Sequence, residues 1–281
     1  MRQDGRMDSS VSQLRDLAVH AAIEGAQIAR DRREEAQIHG TKSSSVDVVT
    51  QIDIAVEEHI RTLLLQQRPH DGILGEEGHS TEGTSGITWV VDPIDGTVNY
   101  VYGLESCSVS VAAVSGNPRR SDGAVQAGAV VDIPVGQVWS AGAGEGAEYD
   151  GNPLKIESGP DLAHALVATG FQYVSQIRER QGAVVAQLLP QVRDIRRLGS
   201  CALDLCMVAA GRVDAYYEHG LSVWDFAAAS LIAREAGVRV EGFDGNPAKA
   251  EFILAAPDPT FAALHDALSE AGARTVMPRG V

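Results

Sequence analysis

Two aspartates close the stretch WVVDPIDGTVNY (residues 89–100): Asp92 and Asp95 end an apolar run, with Pro93-Ile94 between them and Gly96-Thr97 directly behind. Upstream, GIL is followed by GEE, which sets Glu76 and Glu77 at the end of a second short apolar run. The carboxyl ends of strands are where α/β folds present polar groups to ligands. If the two runs are neighbouring strands, Glu76, Asp92 and Asp95 crowd together, and crowded carboxylates repel and raise one another's pKa. A divalent cation relieves that repulsion, and an all-oxygen donor set suits Mg²⁺ better than zinc. The backbone carbonyl of Ile94 is one more oxygen on the spacer. The Gly-Thr pair then opens a turn or helix whose free N–H groups can hold an anion. A metal beside an anion-binding helix start points to phosphate chemistry.

Each piece also has an ordinary reading. A D-x-x-D is commonly a turn or an N-cap, GEE a solvated turn, and Asp225 in SVWD a cap favourable to a helix dipole. Asp53, in DVVTQID, would ordinarily lie on a helix surface, although its valine-rich neighbours predict a packed helix. What outweighs these readings is the joint order Asp53, Glu76, Asp92, Asp95, Thr97, Asp225 in one chain.

The elements that must position these groups follow from residue spacing. VSQLRDLAVHAAIEGAQIARDRREEA, with apolar residues three and four apart, predicts an amphipathic helix with a charged tail. After the polar loop HGTKSSS, the same periodicity predicts a second long helix from Asp47 to about Gln67, stopped by Pro69. GIL, TWVV, CSVSVAAV, GAVQAGAVVDI and GQVWSAGAGEGAEY read as strands and hairpins, with HSTEGTSG (79–86) as a mobile surface insertion. Beyond Gly159, helices (RERQGAVVAQLLPQ, CALDLCMVAAG, VWDFAAASLIAREAG, DPTFAALHDALSEA) alternate with strands (VRDIRRL, VDAYYEH, EFILAA). The layout is mixed α/β, and its long continuous strand section argues against a simple doubly wound sheet. We expect one unit over residues 11–281, in two lobes meeting near residue 150, behind a polar and disordered segment 1–10.

Composition narrows the partners. A chain of 281 residues, 44% hydrophobic, can bury a substantial core. Its 23 basic against 38 acidic side chains give 23 − 38 = −15, a surface that repels phosphate backbones, so no direct nucleic-acid binding is expected. Cys107, Cys201 and Cys206 are odd in number and without CxxC spacing, which fits a reducing cytoplasm. No apolar run approaches the roughly 18 residues of a membrane span, and no signal peptide is expected.

Taken together, DVVTQID, GEEG, WVVDPIDGTVNYVYG and DAYYEHGLSVWDFAAASLIAREAG resemble the signatures of the inositol monophosphatase family. The match runs in order from about Lys42 to Ala236 and is most specific in DPIDGT and WDFAA. The resemblance implies an α/β (α+β) fold, an α-β-α-β-α layered sandwich of the sugar-phosphatase type, normally a homodimer. It also implies Mg²⁺-dependent, Li⁺-sensitive hydrolysis of a phosphate monoester with two to three ions. By the same resemblance Glu76, Asp92 and the Ile94 carbonyl hold a first Mg²⁺, and Asp92, Asp95 and Asp225 a second. A third, weaker ion would bind near Glu76, where Lys42 aligns. Thr97 with Asp53 would position and activate the attacking water, and the N–H groups of Gly96 and Thr97 would cradle phosphate. Asp95, Gly199, Ser200 and Glu218 would face the substrate, Glu218 accepting from polyol hydroxyls. Cys201 stands where the family usually has alanine and is expected to pack. Tyr100 replaces a family phenylalanine, His219 is expected at the surface or supporting the site, and Cys107 is expected as a buried hydrophobe.

The expected substrate is inositol 1-phosphate or a related small polyol or sugar monophosphate, because the contexts of Asn99 and Glu218 match that branch. Related enzymes act on histidinol phosphate, fructose 1,6-bisphosphate or 3′-phosphoadenosine 5′-phosphate, and the metal motif does not discriminate among them. A different class remains open, a regulatory interaction protein of the transcription machinery with secondary phosphatase activity. A fold-retaining metal binder without turnover is disfavoured by the complete carboxylate set.

Overall fold

Ser10 opens helix α1 (Val11–Asp31) with a capping box: its hydroxyl accepts from the Gln13 N–H at 3.3 Å, and the Gln13 side chain accepts from the Ser10 N–H at 3.1 Å. The computed structural model describes residues 10–36, 38–41, 48–78, 80–119 and 123–277, so Lys42, Asp47 and residues 1–9 of the segment 1–10 expected to be disordered lie outside the described residues, while Ser10 of that segment caps α1. A short antiparallel pair, β1 (Ile38–Thr41) and β2 (Val48–Thr50), leads into α2 (Gln51–Gln67). The second helix therefore begins at Gln51 and not at Asp47. Val48 and Val49 are β-branched and extended, and Thr50 stops the strand by capping the helix in a box with Asp53.

Seven strands then form one sheet in chain order: β3 (Gly72–Gly75), β4 (Ile87–Asp95), β5 (Ser108–Ser115), β6 (Ala124–Asp132), β7 (Val138–Gly142), β8 (Gly146–Tyr149) and β9 (Asn152–Leu154). The short helix α3 (Thr97–Val101) lies between β4 and β5. β3 and β4 are parallel and the remaining pairs antiparallel. The loop expected to be mobile is instead tied down: Thr81 exchanges two 2.8 Å backbone bonds with Ile73, and the N–H groups of Thr84 and Ser85 donate to the His70 carbonyl. The free edge of β3 would otherwise leave those backbone groups unpaired.

The rest of the chain supplies β10 (Leu166–Thr169), α4 (Ser175–Leu188), β11 (Asp194–Arg196), α5 (Cys201–Ala209), β12 (Ala215–Glu218), α6 (Val223–Glu235), β13 (Arg239–Glu241), β14 (Ile253–Ala256) and α7 (Thr260–Glu270). Its five strands run in the order β11-β10-β12-β14-β13.

Strand periodicity decides which core each residue joins. On β4, Trp89 and Val91 pack with α1 and α2, whereas Val90 between them packs with α5 and α6. On β12, Tyr216 faces that same central core while Ala215 and Tyr217 face a third core with Phe261 and Leu264 of α7. The central core reaches both faces of α5/α6, so three cores fill the four interfaces between five layers, α1/α2, large sheet, α5/α6, small sheet, α4/α7, the expected α-β-α-β-α sandwich. No helix among the described residues is long and apolar enough to cross a membrane.

Candidate active site

The parallel ladder pairs Gly75 with Val91, so Glu76, the next residue after β3, stands level with Asp92; its N–H donates to the Val91 carbonyl at 3.3 Å. Residues three apart on a regular strand point to opposite faces. Here Asp92 pairs with Ser110 and Asp95 with Ser108, three steps on β4 against two on β5. The extra residue is a bulge over Pro93-Ile94, and it turns Asp95 to the same side as Asp92. Proline lacks an N–H for the ladder, and a bulge is one of the few strand positions that tolerates it. Ile94 buries its side chain beneath α1 and α2, and its N–H donates to Asp92 Oδ1 at 3.1 Å.

Gly96 follows with φ +89°, where a Cβ would stand 2.8 Å from the Ser106 carbonyl and 3.0 Å from that of Gly199. Only glycine fits this left-handed, backbone-walled turn. The turn sets the Thr97 hydroxyl 3.1 Å from Asp53 Oδ1 and 3.0 Å from the Ile94 carbonyl. Asp53 is fully buried, and its Oδ2 accepts from the Thr50 N–H (2.9 Å) and hydroxyl (2.5 Å). Its surface reading is therefore excluded. Asn99 secures the turn from the far side, donating at 2.7 Å to the carbonyls of both Ser106 and Leu198.

Asp225 enters from the first turn of α6, where its Oδ2 accepts from the Ser222 N–H at 2.7 Å. Glu218 ends β12 and accepts from the Tyr216 hydroxyl at 2.6 Å. Glu76, Asp92, Asp95, Thr97, Glu218 and Asp225 all line one cavity of about 490 Å³, together with Ile94, Gly96, Gly199 and Cys201.

Ser200, expected on the substrate wall, is 1% exposed and lies beneath it. Its hydroxyl caps α5 and donates to Asp95 Oδ2 at 2.5 Å, beside the Ala202 N–H at 2.7 Å. The cap geometry turns it inward, so it holds Asp95 and leaves Gly199 and Cys201 to line the cavity. Cys201 packs in the central core with one edge on that wall, and burial pushes its thiol well up. His219 is neither at the surface nor on the wall: strand alternation turns it away from Glu218 into the outer core. There Nε2 lies 2.9 Å from the Ala273 carbonyl and the ring packs on Phe252. The Tyr100 hydroxyl donates to the Ala29 carbonyl, away from the cavity, and Cys107 is fully buried as expected.

Electrostatics follow from crowding. Burial pushes Asp95 up to about 6, opposed by the Ser200 and Ala202 hydrogen bonds and reinforced by the charge of Glu76. Asp225 keeps part of its surface open to the cavity, yet the surrounding protein and then Glu76 and Asp95 push it well up. Burial pushes Glu218 up to about 7, tempered by the Tyr216 hydrogen bond and by Arg197. Among the described residues no three His, Cys, Asp or Glu side chains form a ready-made metal cage. The carboxylates nevertheless reach one cavity from the end of β3, from β4 and from α6. Their all-oxygen chemistry and mutual repulsion fit a small hard divalent cation.

Sequence reasoning passed over Arg197, Tyr216 and Glu57. Arg197, in RRLGS, lines the cavity. Tyr216 stands two residues before Glu218 and so on the same strand face. Glu57 is fully buried on α2 and accepts from the Glu77 N–H at 2.8 Å. The period of two could have found Tyr216; nothing local marks the other two.

Five alternating layers around an acid-lined cavity at the strand ends define a layered α/β phosphatase. The chain belongs to the inositol monophosphatase family, whose model matches residues 10–277. It is 46% identical over 255 residues to an inositol-1-monophosphatase of Mycobacterium leprae, covering 83% of this chain and 85% of that one. It is 40% identical over 233 residues to the Nus factor SuhB of Pasteurella multocida, covering 82% and 85%. The solved structure of Mycobacterium tuberculosis SuhB superposes with a TM-score of 0.78 at 42% identity, over 95% of this chain and 99% of that one. The protein is accordingly a phosphoric monoester hydrolase.

Proposed function

We propose that the enzyme is a Mg²⁺-dependent phosphatase that converts inositol 1-phosphate and related small polyol or sugar monophosphates to free polyol and phosphate. The observation that carries this reading is the hydrogen-bonded pair Thr97–Asp53 at the mouth of a bulge that turns Asp92 and Asp95 to one side, opposite Glu218. Glu76, Asp92 and the Ile94 carbonyl would hold one Mg²⁺, and Asp92, Asp95 and Asp225 a second. Lys42 would stand beside a third, weaker ion. When bound, the metal supplies Lewis acidity and screens the phosphate charge.

The chain's own groups do the rest. The N–H groups of Gly96 and Thr97 receive phosphate oxygens. Thr97 orients the attacking water through its hydroxyl, and Asp53 fixes that hydroxyl and is the base within its reach. The water oxygen bonds to phosphorus as the ester P–O bond breaks, and the departing alkoxide takes up a proton. Glu218 accepts from the hydroxyls of the polyol, and Gly199 walls its ring. The family relation and the M. leprae relative's name support inositol 1-phosphate over the neighbouring substrate classes. A reducing cytoplasm agrees with three free, buried cysteines. A homodimer and inhibition by Li⁺ complete the reading.

Phosphate release from inositol 1-phosphate, histidinol phosphate, fructose 1,6-bisphosphate and 3′-phosphoadenosine 5′-phosphate, with and without Mg²⁺, tests it. Fastest Mg²⁺-dependent release from inositol 1-phosphate is the expected result; faster release from another member moves the substrate, and release independent of divalent metal removes the metal roles. A second reading rests on the relative named as a Nus factor, contact with the transcription machinery. An Asp92→Asn chain that still supplies the in-cell role would favour it.

A further inference from the structure

A second and larger cavity, about 750 Å³, lies against the other side of the segment that begins α6, sharing only Leu221, Ser222 and Trp224 with the acidic cavity. Its charge is opposite. Among the described residues Arg119, Arg234 and Lys249 line it against the single carboxylate of Glu251, three cations to one anion in a chain of net charge −15. No ion pair among the described residues engages these three cations. Glu235, beside Arg234 in sequence, accepts from the N–H groups of Gly144 and Gly146 and does not line the cavity, although its charge still acts on Arg234. Phe226, Ser230 and Arg234, each four residues apart on α6, all line the cavity, one helical stripe facing it.

Two residues of the lining also carry donors that are buried without a partner. Ser230 is 2% exposed, and its hydroxyl is buried with no hydrogen-bond partner. The indole N–H of Trp224 is likewise buried without a partner, and the Arg119 guanidinium sits over its ring at 5.9 Å. A buried donor without a partner carries a desolvation cost. Arg119, Arg234 and Lys249 are all exposed side chains, so solvent weakens each single contact and the attraction for an anion comes from their clustering along one groove. Beside the donors lie apolar and aromatic walls from Phe226, Val125 and Val240. The volume falls in the range of roughly 300–1,000 Å³ typical of small-molecule sites.

We propose that this groove is a second ligand site, one that takes a small phosphorylated or phosphonate-like molecule: the anionic group on Arg119, Arg234 and Lys249, the apolar body against Trp224 and Phe226. It is distinct from the acidic cavity, whose carboxylates repel such an anion unless cations intervene.

Calorimetric titration of the full chain with phenylphosphonate, in EDTA, tests the assignment without turnover, since the C–P bond is not a phosphate ester. The expected result is saturable binding, about tenfold weaker in the Arg234→Gln/Lys249→Gln variant and unchanged in Thr97→Ala. The Arg234→Gln/Lys249→Gln variant should retain the phosphatase activity of the parent, which controls for folding. Binding that is lost in Thr97→Ala and kept in the Arg/Lys variant assigns the anion to the acidic cavity and overturns the proposal. No binding of phenylphosphonate, or binding of poly-glutamate alone, also overturns it, the latter in favour of an acidic polypeptide. Because none of these readouts is catalysis, failure here leaves the proposed phosphatase substrate untouched.

Discussion

Thr97 offers one hydroxyl hydrogen to two acceptors, Asp53 Oδ1 and the Ile94 carbonyl, while Asp53 spends its other oxygen on Thr50. The residue is thus held in one rotamer by groups that are themselves buried. Thr97→Ala should lower kcat by about 10²-fold or more, with the midpoint of Mg²⁺ activation unmoved; an equal shift in that midpoint would show that Thr97 serves metal binding. Tyr216 acts one step further out. It is fully buried, and its hydroxyl holds the Glu218 carboxylate at 2.6 Å. As a positioning residue it should affect recognition before turnover. In Tyr216→Phe, KM for inositol 1-phosphate should rise by about tenfold with kcat little changed, and aryl phosphates, lacking the hydroxyls, should be unaffected. Equal changes for both substrates would point to a general loss of structure.

At the scale of elements, the site depends on one irregularity in β4. Without the extra residue at Pro93-Ile94, Asp95 would point towards α1 and α2, where Ile94 now packs. The bulge works only because Gly96 then reverses the chain between the Ser106 and Gly199 carbonyls. Gly96→Ala has no side chain to bend out of the way, since both obstacles are backbone. It should destabilise the fold by about 2–4 kcal/mol and reduce turnover at temperatures where the variant is still folded. A denaturant midpoint equal to that of the parent would mean that the turn can relax. α5 and α6 matter equally: Ser200 and Ala202 at the start of α5 fix Asp95, and Ser222 at the start of α6 fixes Asp225.

Across the whole molecule, the outer core contains a buried imidazole that makes stability depend on pH. His219 pairs Nε2 with the Ala273 carbonyl, which assigns the proton to Nε2, and Nδ1 is buried without a partner. Protonating Nδ1 would create a buried, unpaired N–H, and burial lowers the pKa from 6.5 to about 4. The Asp204 and Glu218 carboxylates belong to the central core and its cavity, not to this outer one. A histidine with a depressed folded pKa adds stability that is complete above its unfolded value and lost as pH falls through the folded one. Between pH 7 and pH 4 the parent should therefore lose roughly 2–4 kcal/mol more unfolding free energy than His219→Gln, which can keep a donor to Ala273 but cannot titrate. Parallel losses in the two chains, followed by denaturant titration, would remove His219 from the acid response.

The sequence by itself marked the candidate site residues and most of the elements. Carboxylates at strand ends, the Pro-Ile spacer and the Gly-Thr start are local, and backbone periodicity is local too, so both survive reading in one dimension. Tertiary structure decided what depends on segments meeting. Asp53 and Thr97 are 44 residues apart, and Asp95 and Ser200 are 105 apart. No spacing rule predicts that Ser200 would turn beneath the wall to hold Asp95, nor that Thr81 would pair with Ile73. The cationic groove is of the same kind: Arg119, Arg234 and Lys249 come from three distant stretches, and only the packing of α6 between the two sheets brings their charges to one wall. Local patterns set which residue types can act; the burial of faces against one another sets which of them share a cavity.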